Sequence, residues 1–312
     1  MSAELRVGTS GYSFRDWVGI VYPDGTPASG FLEAYADDFD TVEINTTYYR
    51  IPEPTLFERM LTKVPESFEF VVKVPRELTH RRTRMEHAVS PFLEALKPLQ
   101  TAHQLGGLLV QFPQSFHPNH TSIEYLKRVA DRLSSDDYSV HIEFRHRDWI
   151  QPSVLDFLRS HALGFVNVDL PRLRSLPSPT SFTTTDVAYH RLHGRNREMW
   201  HGPPAGSYRY DYLYNDSELD EWAERIQETA GSARKVYVFG NNCHKGSSFV
   251  DALRLKQRLG LEIREDAHSQ PDLFAVGHRM GRIEELLANV SRAREAEQPI
   301  LERLLHERDR TL

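Results

Sequence analysis

Residues 107–143 read GLLVQFPQSFHPNHTSIEYLKRVADRLSSDDYSVHIE, and this stretch decides the fold. Gly107–Gln111 is a short apolar run that ends at a polar residue and is followed by Phe112-Pro113, which predicts a strand. Ser122–Leu133 then sets Ile123, Leu126, Val129, Ala130 and Leu133 at helical spacing, with Ser122 as the expected cap. Ser139–Glu143 returns to a strand pattern. A strand, a helix and a second strand in this order predict parallel pairing through a right-handed crossover.

Moving outward, the same unit recurs. Upstream strands are predicted at Leu5–Ser10, Thr41–Asn45 and Glu69–Val74, and downstream ones at Gly164–Asp169, Val187–His193 and Lys235–Asn241. Helical spacing marks Pro54–Val64, Pro91–Ala102, Ser217–Ile226 and Ser248–Leu259, with Pro98 expected to weaken the end of the second. Eight such units predict an α/β fold, a single (β/α)8 TIM-type barrel with a C-terminal helical extension. The rival, an open doubly wound sheet, loses its commonest version because no GxGxxG follows the first strand. Residues 1–260 are read as the barrel and 261–312 as a charged, mainly helical tail. In that tail Gly281–Asp309 is helical, interrupted at Pro299, and expected to pack on the barrel, a partner or a second copy.

A chain of 312 residues is long for one domain, but α/β barrels commonly reach ~250 residues. A net charge of −6 argues against a strongly basic nucleic-acid binder. Cys243 is the sole cysteine, which excludes an internal disulfide framework and a thiolate zinc cluster. Met1–Arg6 lacks the pattern of a secretory signal and no apolar run is long enough to span a bilayer. A cytoplasmic protein without a membrane partner is expected.

In a parallel barrel, chemistry sits at the C-terminal strand ends. Those ends carry Glu43 and Asn45, Lys73, Gln111, Glu143 and Arg145, Asp169, Arg191 and His193, and Asn241 with Asn242. Strand alternation places Glu43 with Asn45, Glu143 with Arg145, and Arg191 with His193 on shared faces. Lys73, Arg145 and Arg191 suit a phosphate or carboxylate. Glu43, Glu143 and Asp169 are candidate acid–base groups, and His193 a proton shuttle. The bland alternative is a barrel core whose opposite charges merely neutralise one another. No cofactor is expected. A divalent metal at Glu43, Glu143, Asp169 and His193 is the lesser alternative, since nearby cations compete for those carboxylates. The rim is rich in aromatics, Tyr12, Phe14, Trp17, Tyr22, Tyr48, Tyr49, Trp149, Trp200, Tyr208, Tyr210 and Tyr212, which stack on ligands or simply pack loops. The basic run Arg76–Arg84 could touch a phosphate backbone or be a solvated loop.

Several of these segments together resemble a known family. They are Gly8-Thr-Ser-Gly-Tyr-Ser13 with Trp17 and Tyr22-Pro23, Val42-Glu-Ile-Asn-Thr-Thr-Tyr-Tyr-Arg-Ile-Pro52, Phe70-Val-Val-Lys-Val-Pro75 with Thr79-His80, and Leu105–Phe116. Ile142-Glu-Phe-Arg-His146 with Trp149, Arg191-Leu-His-Gly194, Tyr210–Trp222 and Phe239-Gly-Asn-Asn242 continue the likeness. The chain thereby resembles the YecE-like proteins, domain-of-unknown-function family 72, over about residues 5–260. The resemblance implies a TIM barrel and supplies no activity. Its matching polar positions are Glu43, Asn45, Lys73, His80, Gln111, Glu143, Arg145, Arg191, His193 and Asn242. Gly240 and Cys243 depart from the usual pattern.

The expectation is therefore an enzyme using acid–base chemistry on a small anionic substrate, phosphorylated or carboxylated, with a sugar-like one among the options. Hydrolase, isomerase and lyase chemistry stay open. The alternatives are a nucleic-acid-processing, nuclease-like barrel and a non-catalytic scaffold.

Overall fold

The computed structural model describes residues 2–83, 85–200, 207–264 and 281–299. Eight strands form, β1 Glu4–Thr9, β2 Thr41–Ile44, β3 Glu69–Lys73, β4 Leu105–Gln111, β5 Ser139–Glu143, β6 Leu163–Asp169, β7 Val187–Leu192 and β8 Lys235–Gly240. All hydrogen-bonded neighbours run parallel, in the order β1-β8-β7-β6-β5-β4-β3-β2. The sheet is thus a nearly closed barrel with β1 and β2 at its seam. Tyr35 bridges that seam: its hydroxyl accepts from Thr9 N–H at 2.8 Å and donates to Thr41 O at 3.0 Å. Gly8 makes the close approach feasible, because a Cβ there would lie 2.3 Å from Thr41 O.

Helices cover the outside, α1 Phe31–Ala36, α2 Pro54–Leu61, α3 Met85–Thr101, α4 His120–Leu133, α5 Pro152–Ser160, α6 Asp216–Ala230 and α7 Ser247–Arg258. Three local expectations change. Helix α3 runs through both Pro91 and Pro98, because burial of Phe92, Ala95, Leu96 and Leu99 outweighs the two backbone hydrogen bonds the prolines remove. Helix α4 is capped by Asn119, whose side chain accepts from Ser122 N–H at 2.9 Å, so Ser122 lies inside the first turn. The β6–β7 link contains no helix: Asn167 pins it to the outer wall by accepting from Phe182 N–H and Thr180 Oγ1, each at 2.8 Å.

The barrel interior is layered. Val71, Leu109, Val166, Tyr189, Tyr237 and Phe239 form an apolar middle. Below it, Lys235 and Glu69 pair at 2.5 Å, and above it lies the charged strand-end layer. Among the described residues no helix is long and apolar enough to cross a membrane.

The tail beyond the barrel contributes α8, Arg282–Glu295. Val290 on α8 is fully buried, Arg282 is ion-paired with Asp38, and Arg294 pairs with Asp211 at 2.6 Å. Helix α8 therefore packs on the barrel itself and reaches its upper rim. The expected second helical piece beyond Pro299 lies outside the described residues.

Candidate functional site

The strand alternation that builds the barrel turns Glu43, Glu143 and Arg191 inward at one level, and Asn45, Arg145, His193 and Asn241 at the next. Arg191 is the hub. Its Nε lies 2.8 Å from Glu43 Oε2, its Nη2 lies 2.6 Å from Glu43 Oε1, and its Nη1 lies 2.6 Å from Glu143 Oε2. Glu43 also accepts from Tyr189 Oη at 2.6 Å and Asn45 Nδ2 at 2.9 Å. Arg145 is ion-paired with the second oxygen of Glu143, and His193 Nε2 stands 3.5 Å from that same oxygen. Asn241 fixes the other His193 nitrogen, Nδ1, at 2.7 Å. Gly194 turns the chain after this strand at φ +83°, where a Cβ would lie 2.5 Å from Tyr212 Cβ.

Two fully buried carboxylates are tolerable here because guanidinium groups hold both of them. Burial alone would raise the Glu143 carboxyl, but Arg145 and Arg191 outweigh it and hold it well below the usual range. Burial pushes His193 well below its ordinary value and the Arg145 charge adds to this, so the imidazole is neutral.

Above this layer opens a cavity of about 630 Å³, within the range of small-molecule sites. Its lining includes Lys73, Arg145, Arg191 and Arg209 together with Ser10, Asn45, His80, Gln111 and Asn241. Phe14, Tyr48, Tyr49, Trp200 and Tyr210 supply aromatic walls. Among the described residues no carboxylate lines it. Lys73 Nζ donates to Gln111 Oε1 at 2.8 Å and sits 4.6 Å from the centre of the Tyr48 ring. Thr47 Oγ1 anchors the Lys73 backbone by donating to its carbonyl at 2.5 Å. Burial is the main force that pushes the Lys73 amine down to about 7, and Arg191 adds to it against the opposing pull of Glu143 and Glu43. His80, edge-on to Tyr48 at 5.0 Å, is pushed down to about 4 by burial and then by the Lys73 and Arg145 charges.

Buried polar atoms also converge at the mouth. Asn45 Oδ1, Arg145 Nε, Glu143 Oε1, His193 Nε2 and Arg209 Nε have no aligned hydrogen-bond partner among the described residues. Buried polar groups are rarely left this way, and four of these five belong to the strand-end layer just described.

The family described as "Protein of unknown function DUF72" matches residues 6–273. The chain belongs to the DUF72 family. YunF of Bacillus subtilis is 28% identical over 286 residues, covering 86% of this chain and 100% of that protein. YecE of Escherichia coli is 31% identical over 144 residues, 46% of this chain and 48% of that one. A DUF72 family protein of Thermotoga maritima superposes with a TM-score of 0.76 at 38% identity, over 82% of this chain and 99% of the other. One from Enterococcus faecalis gives 0.74 at 27% identity, over 83% and 97%.

Five of the expected site residues of this DUF72 chain do not line the cavity: Glu43, Glu143 and His193 lie buried in the layer directly beneath it, and Asp169 and Asn242 are turned elsewhere. Asp169 faces outward from β6, bonded to Arg195 Nε at 2.8 Å and Tyr214 Oη at 2.7 Å. Burial raises its carboxyl, with Arg195 pulling the other way. Asn242 is buried beneath the rim, donating to Tyr212 O and Asp251 Oδ2, each at 2.8 Å. Asp169 thus ties the loop after β7 to β6, and Asn242 ties the same loop to α7. Of the rim aromatics, Trp17, Tyr22 and Trp149 are buried in the outer core and act as packing. The basic run Arg76–Arg84 winds into a wide turn at Glu77–Arg81, and Arg76 and Arg81 both face Glu77. Arg84 lies outside the described residues.

Arg209 and Tyr189 belong to the site although the strand-end reading omits them. Arg209 stacks its guanidinium 5.5 Å from the Trp200 ring centre. Its signal is its place in the long loop His193–Asp216. Tyr189 was legible from alternation, two residues before Arg191. A metal at Glu43 and Glu143 would meet the Arg191 guanidinium between them. One ligand atom each from His117, His146 and Asp148 lies within 4.8 Å of the others on the rim, and this group has the donor set for a divalent transition ion.

Proposed function

We propose that this DUF72 protein is an enzyme that takes a small phosphorylated or carboxylated substrate into the mouth cavity. The observation that carries this reading is the lining, three arginines and one lysine with no carboxylate among the described residues. Beneath it Glu43 and Glu143 offset Arg191 and Arg145. Arg209 has no such carboxylate among the described residues, so the cavity keeps an excess of positive charge suited to an anion. Arg145 and Arg209, both beside Trp200, grip the anionic group while Tyr48 and Tyr210 flank the remainder.

The reactive group in this reading is Lys73, whose Nζ lines the cavity between Gln111 and the Tyr48 ring. An amine reacts in its free form, and burial pushes Lys73 down to about 7. Glu143, held as a carboxylate, instead orients Arg145 and His193. The test is a thermal-shift screen against phosphorylated and carboxylated metabolites, with oligonucleotides alongside. A ligand that binds only the native state raises the melting temperature. Small anions should stabilise the wild type and not Arg209→Ala. Stabilisation by oligonucleotides alone would replace this reading with nucleic-acid processing.

A further inference from the structure

The lysines of this chain are not alike. Lys63, Lys97, Lys127, Lys235 and Lys245 each face a carboxylate, and Lys256 donates to the Asp38 carbonyl at 2.7 Å. Lys73 alone among the seven lysines of the sequence lines the mouth cavity. Its hydrogen-bond acceptor is the neutral amide oxygen of Gln111, and its flank is the Tyr48 ring. The nearby carboxylates, Glu43 and Glu143, are taken up by Arg191 and Arg145. An ammonium in that position has cationic neighbours and no carboxylate of its own, so the free amine is the form the surroundings favour. A free amine at the floor of an open cavity is a nucleophile.

We propose that Lys73 is a carbonyl-capturing residue, whose Nζ condenses with the aldehyde or ketone of a small anionic substrate held by Arg145 and Arg209. The substrate class is thereby narrowed to phosphorylated or carboxylated carbonyl compounds, and the inference rests on the anion-site reading above. The Nζ lone pair forms a bond to the carbonyl carbon, and the displaced π electrons go to the carbonyl oxygen. One proton moves from nitrogen to that oxygen, giving a carbinolamine. Uptake of a proton by the hydroxyl and expulsion of water leave a protonated imine, C=NH⁺, on Lys73. The protons exchange with water through the open mouth. The iminium then withdraws electrons from the adjacent carbon, which is the activation that isomerase and lyase chemistry next to a carbonyl requires. Simple ester or glycoside hydrolysis has no use for it.

The groups facing Lys73 also set its pH response. Arg191 and Arg145 push the amine down and Glu143 and Glu43 push it up, with burial the largest influence. Capture should therefore rise with pH to a plateau, with its midpoint near 7 and far below that of an ordinary lysine.

The experiment uses the full chain with glycolaldehyde phosphate as the probe, sodium cyanoborohydride to reduce the imine, and peptide mass mapping. In the wild type, Lys73 should be labelled at least tenfold faster than any other lysine, and inorganic phosphate should slow it. Lys73→Arg should lose that fast label while keeping its binding of inorganic phosphate, measured by calorimetry. The other lysines serve as internal controls in the wild type, so the result does not depend on the variant folding. Labelling spread evenly over the lysines, with phosphate still bound, would overturn the covalent role and leave the anion site standing. No phosphate binding, with Lys73 still labelled selectively by unphosphorylated glycolaldehyde, would overturn the anion reading while retaining the reactive amine.

Discussion

Arg191 grips Glu43 with two nitrogens at once, Nε to Oε2 at 2.8 Å and Nη2 to Oε1 at 2.6 Å, across the upper layer of the barrel. The pair spans β7 and β2, so it ties opposite parts of the wall together, and Nη1 extends the tie to Glu143 on β5. Planar two-point pairing of this kind is available to arginine and not to lysine.

Arg191→Met should consequently be severe. It leaves Glu43 and Glu143 buried beside fewer cations, a change that typically costs about 3–5 kcal/mol. Urea denaturation should show that loss in midpoint without a change in slope. A loss under about 1 kcal/mol would mean that the layer rearranges or hydrates freely and is not a fixed platform.

The seam supplies a second expectation. Tyr35→Phe keeps the ring and removes the hydroxyl that joins Thr9 N–H to Thr41 O. Leaving such buried backbone groups unpaired costs on the order of 1–3 kcal/mol. Hydrogen exchange at the Thr9 amide should accelerate with it. Unchanged exchange would show that β1 and β2 are held by something other than this bridge.

Lys73 gives a pH-dependent prediction. Its amine is lowered from 10.5 to about 7 in the folded chain, so between those values the unfolded chain binds more protons than the folded one. Wild-type stability from this group then rises as pH climbs from 7 to 10. Lys73→Met removes the penalty. Its melting temperature should exceed that of the wild type most at or below pH 7, with the gap closing toward pH 10. A gap that is constant with pH would assign the effect to packing alone.

The eight strands were legible because each is a compact apolar run closed by a polar residue, as in Ser139–Glu143. Alternation made shared faces legible but not which face is the interior. Glu43 with Asn45, and Arg191 with His193, alternate with apolar neighbours and turn inward as expected. The strand ending at Asp169 alternates too, Val166 and Val168 against Asn167 and Asp169, but there the polar face is the outer one and Asp169 turns outward. Arg209 was hidden for a different reason. It sits in a short 3-10 turn, Ser207–Tyr210, of the long loop His193–Asp216, a stretch with no periodicity, and the fold of that loop is what sets its guanidinium 5.5 Å from the Trp200 ring centre.

The helix predicted at Pro91–Ala102 is present, and it begins earlier, at Met85. Pro98 does not weaken its end, because α3 is held by its buried face on the barrel and tertiary contact outweighs local preference.

The central claim is that the mouth is an anion site. Titration calorimetry of inorganic phosphate into the wild type and into an Arg145→Ala, Arg209→Ala double variant tests it most directly. Saturable one-to-one binding by the wild type, weakened at least tenfold in a double variant that still melts cooperatively, is the predicted result. Equal binding by the two proteins, or none by the wild type, would contradict it.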